Sequence, residues 1–95
     1  MIVLGGIYTF ENMIKIVIDV ENDTIITYDL VPNETISKKE IIDLLFLEYK
    51  TEFNKYCIHQ YFEPSFLDTY NGYLGEIDLV LLQSLQMFHL WHLDD

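Results

Sequence analysis

His89 and His92 stand three residues apart, with Asp94 and Asp95 just behind them. On a helix this spacing puts both imidazoles on one face, within reach of one metal ion that a tail carboxylate could complete. No second ligand pair at diagnostic spacing accompanies them. Two histidines near a helix C-terminus also interact well with its dipole, and that structural reading is preferred. Cys57 and His59 are two residues apart, which on a helix points them to different faces, so they form no local thiol–imidazole pair. Cys57 reads as an inert buried thiol. Glu48 and Glu52 fall at i,i+4 on the same expected helix. Acid–base use would require a pocket that raises a carboxylate pKa, and a solvated face is the simpler reading. No nucleophile triad, EF-hand loop or glycine-rich phosphate loop is present. The expectation is a non-enzyme with no cofactor and no metal.

What remains to do chemistry is charge. The chain has 95 residues, with 16 Asp and Glu, five Lys and no Arg, for a formal net charge of −11. Lys38, Lys39, Lys50 and Lys55 share residues 37–56 with Glu40, Asp43, Glu48 and Glu52, so that stretch is locally neutral. Everything else carries 12 acids against Lys15 alone, and 1 − 12 = −11. Such a field repels nucleic acid and attracts basic protein surfaces. It also disfavours anionic membranes. Solubility is the bland alternative, because acidic residues serve it well.

Aromatics are the second resource. Tyr56, Tyr61, Phe62, Phe66, Tyr70 and Tyr73 crowd into 18 residues beside Glu63, Asp68 and Glu76. Aromatic side chains are enriched at interface hot spots, and surrounding acids suit a basic partner. The competing reading is that they close the ends of the core.

The elements that position these groups follow from periodicity. Hydrophobic residues make up 51% of the chain, too many for a disordered acidic tail. The length suits one domain, residues 1–95. Ile14, Ile16, Ile18 and Val20 alternate with Met13, Lys15, Val17 and Asp19, which predicts a strand. Ile26, Tyr28 and Leu30 predict a second, after a turn at Glu21-Asn22-Asp23. A three-residue loop, Asn22 to Thr24, would pair Val20 with Ile26, Ile18 with Tyr28 and Ile16 with Leu30. A two-residue loop would bring Thr27 and Asp29 to the core side, so the longer loop is expected. Residues 2–10 predict a further strand interrupted at Gly5-Gly6 and joined through Glu11-Asn12. Ser37-Lys38-Lys39-Glu40 is a capping box. The helix after it carries the stripe Ile42, Leu45, Phe46, Tyr49, Phe53, Tyr56, Gln60 and is expected to run to about Phe62. Residues 63–76 look irregular. Residues 77–92 predict a second helix with Ile77, Val80, Leu81, Ser84, Leu85 and Phe88 inward. The sum is an α+β domain: an antiparallel meander of about three strands, with two helices packed on one face.

A lone cysteine fits a reducing cytosol. The N-terminus lacks the positive region of a secretory signal, and the longest aliphatic run is too short to cross a bilayer. In size, acidity and the lack of catalytic groups, the chain resembles the small acidic inhibitors carried by phages and mobile elements, DNA mimics and anti-CRISPR proteins among them. The likeness is compositional and rests on no motif, so no family follows from it. The expected role is inhibition of a basic nucleic-acid-binding protein or nuclease in the cytoplasm, without direct contact to nucleic acid. The expected partner-binding residues are Asp19, Glu21, Asp23, Asp29, Glu34, Glu63, Asp68, Tyr70, Tyr73, Glu76 and Asp78. An immunity protein or antitoxin against a basic toxin obeys the same charge logic. A homo-oligomer built on Leu44, Leu47 and the aromatics is the third reading.

Overall fold

The computed structural model describes residues 2–31, 37–63, 65–68 and 72–93. They form an α+β domain whose sheet has five antiparallel strands rather than three. The strands are β1 (Gly6–Phe10), β2 (Met13–Glu21), β3 (Thr24–Leu30), β4 (Ile58–Phe62) and β5 (Tyr73–Glu76), in the order β4-β3-β2-β1-β5. The helices are α1 (Lys38–Thr51), the short α2 (Ser65–Asp68) and α3 (Leu79–Trp91). α1 and α3 pack on one face, where Ile7, Ile14, Ile16, Ile18, Tyr28 and Leu30 meet Ile41, Leu45, Leu81 and Leu85.

The β2–β3 hairpin corrects the expected register. The loop is two residues, Asn22-Asp23, since Glu21 faces Thr24 and Val20 faces Ile25. Asn22 takes the left-handed conformation (φ 53) that such a tight turn requires. Ladder pairing then slips at a bulge between Val17 and Asp19, leaving Ile18 as the extra residue. Beyond it, Ile16 pairs with Tyr28 and Ile14 with Leu30. The bulge reconciles a tight turn with the aliphatic pattern. It keeps Ile14, Ile16 and Ile18 in the core, where each is worth about 1.5–3 kcal/mol. It also turns Val20 out of their row. The broken ladder is patched from outside: Gln86 on α3 donates its Nε2 to the Ile18 carbonyl at 3.0 Å.

α1 ends at Thr51, well short of Phe62. The capping box at Ser37 and Glu40 is present. At the other end Glu52 adopts φ 75, and Phe53 turns into the core against Tyr28 and Phe88. Asn54 then caps a single 3-10 turn, Lys55–Cys57. Ile58–Phe62 becomes the edge strand β4, paired with β3 from Tyr28–Ile58 to Thr24–Phe62. Isoleucine, tyrosine and phenylalanine suit a strand, and pairing covers the edge of β3. The buried residues of α1 are Ile41 and Leu45, whereas Phe46 and Tyr49 from the expected stripe are exposed. On α3, Leu82 is buried in place of Val80.

β5 replaces the irregular segment expected before α3, and it pairs with β1. Gly5-Gly6 make this junction. The Gly5 N–H donates to the Val17 carbonyl at 2.7 Å and its own carbonyl accepts from Ile77 at 2.9 Å, with φ +80. A Cβ at Gly6 would lie 2.8 Å from the Val3 carbonyl, so only glycine fits there. The second face of the sheet is covered as well. Tyr8, Val17 and Ile25 pack with Leu67 of α2 and with Ile2.

Candidate functional site

An antiparallel order sends the ends of β2, β4 and β5 to the same end of the sheet. Asp19 and Glu21 close β2, Asp23 sits in the turn, Glu63 follows β4, and Glu76 closes β5. All five are exposed. The Glu63 N–H donates to the Asp23 carbonyl at 2.7 Å, which fixes β4 to the hairpin tip. Phe62, 72% exposed and opposite Thr24, stands beside Glu63 at this end. The β5 corner is less negative, because the Lys38 side chain runs over Gly75 next to Glu76. The strongest acidic grouping is therefore Asp19, Glu21, Asp23 and Glu63. It has an exposed aromatic at its border, the arrangement that suits a basic partner carrying one apolar contact.

The remaining expected residues divide. Asp29 is buried, not on the surface: it faces Lys15 across the ladder and bonds it. Sequence pattern places Asp29 beside Thr27 on one face of β3, and the hidden fact is that this face is covered too. Asp78 caps α3, accepting from the Leu81 N–H at 2.9 Å. Tyr73 packs its ring on Tyr8 and donates its hydroxyl to Glu76. Glu34 and Tyr70 lie outside the described residues, as does the side chain of Asp68.

The groups with catalytic appearance have structural surroundings. Glu48 accepts the Tyr28 hydroxyl, which in turn accepts the Asn54 N–H at 3.3 Å. Burial, then the bond to Glu48, pushes the Tyr28 phenol well above the usual tyrosine range. Burial, then the Glu48 charge, also raises the Cys57 thiol, which makes it a poor nucleophile. His92 packs edge-on against Phe88 and its N–H donates to the His89 carbonyl, closing α3. Among the described residues no three His, Cys, Asp or Glu side chains form a metal-binding group. No helix among them is long and apolar enough to cross a membrane.

A second surface feature lies at the opposite end of β4. A groove of about 760 Å³ runs between the end of α1 and the second half of α3, with Tyr49, Phe53, Met87, Phe88 and Trp91 in its walls. No single periodicity announces it, because one wall comes from residues 49–55 and the other from residues 84–92. Comparison with protein-family models, curated proteins and solved structures finds no match to this chain. The class is thus the one that the fold itself defines, an acidic α+β domain.

Proposed function

We propose that this protein is a non-enzymatic inhibitor that presents its acidic end to a basic, nucleic-acid-handling protein. One observation carries the reading. Asp19, Glu21, Asp23 and Glu63 converge on one exposed end, while the single cation of the sheet, Lys15, is spent internally on Asp29. The other four lysines lie on α1 and the turn after it. Carboxylates so placed would occupy a surface that otherwise binds phosphates. Association would be fast and salt-sensitive. The setting implied is the cytoplasm, with no membrane and no direct nucleic-acid contact. An immunity protein or antitoxin against a basic toxin shares the charge logic.

The test is a tagged pull-down from host lysate, washed at low and then high salt. A basic nucleic-acid-binding protein that excess nucleic acid displaces is the expected result. A partner that nucleic acid does not displace indicates immunity-type inhibition instead. The triple variant Glu21→Lys, Asp23→Lys, Glu63→Lys should bind that partner more than tenfold more weakly. Unchanged affinity would remove this end of the sheet as the binding surface.

A further inference from the structure

We propose that a second copy of this chain covers the outer face of α3, forming a two-fold dimer through the groove between α1 and α3. α3 carries no Asp, Glu, Lys or Arg along Leu79–Trp91, in a chain of net charge −11. Its inner stripe is Leu81, Leu82 and Leu85. Its outer stripe, Val80, Ser84, Met87 and Trp91, recurs at helical spacing and is also largely apolar. Val80 is 64% exposed, Met87 52%, Leu90 63% and Trp91 74%. An uncharged helix with apolar stripes on two faces belongs between two surfaces, and the sheet supplies one of them.

Area and charge select the occupant. A large aromatic side chain offers about 150–250 Å². On that scale the exposed parts of Tyr49, Val80, Met87, Leu90 and Trp91 come to roughly 500 Å², a sufficient apolar core for an interface of about 800 Å² per partner. A basic partner is drawn to the acidic end, and α3 has no charge to hold it. A second copy meets this chain best along a helix that carries no charged side chain of its own. The wall facing α3 is the end of α1 and the turn after it, from Tyr49 to Lys55. Glu52 and Lys55 both line the groove, one acid and one base, so these two add no net charge to its α1 side. The acidic ends point away. Ile58 adjoins the groove region and Glu63 lies beyond the other end of β4, about 16 Å off at about 3.3 Å per residue. That exceeds the screening length of about 8 Å at physiological salt.

Trp91 is the sole tryptophan, so the face reports on itself. Sedimentation equilibrium and tryptophan emission are followed together from high micromolar to nanomolar concentration. The expected result is a dimer mass with blue-shifted emission, both reverting to monomer and red-shifted emission on the same dilution curve. Met87→Lys should weaken the dimer at least tenfold with the circular dichroism spectrum unchanged. A monomer mass with red-shifted emission at every concentration overturns the proposal. A dimer whose Trp91 stays red-shifted, or whose mass ignores Met87→Lys, uses another face and overturns it as well. Should Met87→Lys fail to fold, the unmodified protein's emission curve decides alone.

Discussion

Lys15 and Asp29 face each other across the β2–β3 ladder, with 2.8 Å between Nζ and Oδ2 and each side chain only 4% exposed. Tyr61 closes the group, its hydroxyl 2.5 Å from Lys15 Nζ and 2.8 Å from Asp29 Oδ2. Thr27 donates its hydroxyl to the other carboxylate oxygen. Each polar atom is satisfied, which is the condition under which a buried pair persists. Removing one partner is another matter. Lys15→Met should cost about 3–5 kcal/mol in urea unfolding, because it strands a buried carboxylate. The double variant Lys15→Met, Asp29→Asn should recover more than half of that loss. Recovery of none would mean that the charge is not what the lysine balances.

Gln86 is the external support of the bulge. Gln86→Leu leaves the Ile18 carbonyl without its side-chain donor and should cost about 1–3 kcal/mol. Thermal unfolding monitored by circular dichroism measures this. A loss below a few tenths would show that water replaces the amide.

Asp78 separates capping from binding. Asp78→Ala should destabilise the protein by about 1 kcal/mol, and Asp78→Asn by much less, since asparagine caps nearly as well. If Asp78→Asn instead lowered partner affinity at full stability, the carboxylate charge would have a role beyond the cap.

Tyr28 sets an alkaline limit. Its folded phenol holds its proton more tightly than the unfolded one, which ionises near pH 10. The associated stability is fully present below about pH 10 and is lost as pH rises further, because only the unfolded chain then releases the proton. Unfolding free energy should therefore fall more steeply above pH 10 in the native protein than in Tyr28→Phe. Parallel curves for the two would contradict this.

Much of the architecture is written locally. Ser37 and Glu40 form their capping box within one turn, the Ile26, Tyr28 and Leu30 row faces the helices, and α3 lies within the stretch its periodicity marks out. Glu11-Asn12 turns the chain where its chemistry says it should, whereas the turn after β2 falls at Asn22-Asp23, one residue shorter than the loop its pattern predicts. For the site, the types of its residues were legible and their grouping was only partly so. Asp19, Glu21 and Asp23 are neighbours in the chain, whereas Glu63 joins them only because β4 pairs with β3.

What sequence alone determined is charge, local turns, caps and the apolar rows, since each depends on residues within a few positions of one another. Tertiary structure decided the rest. It made Ile58–Phe62 a strand by offering it the edge of β3. It slipped the hairpin at Ile18 so that three isoleucines could share one core. It turned Asp29 from a surface acid into the buried partner of Lys15. Those outcomes depend on contacts between distant segments, whose energies exceed local preference and leave no periodic trace along the chain.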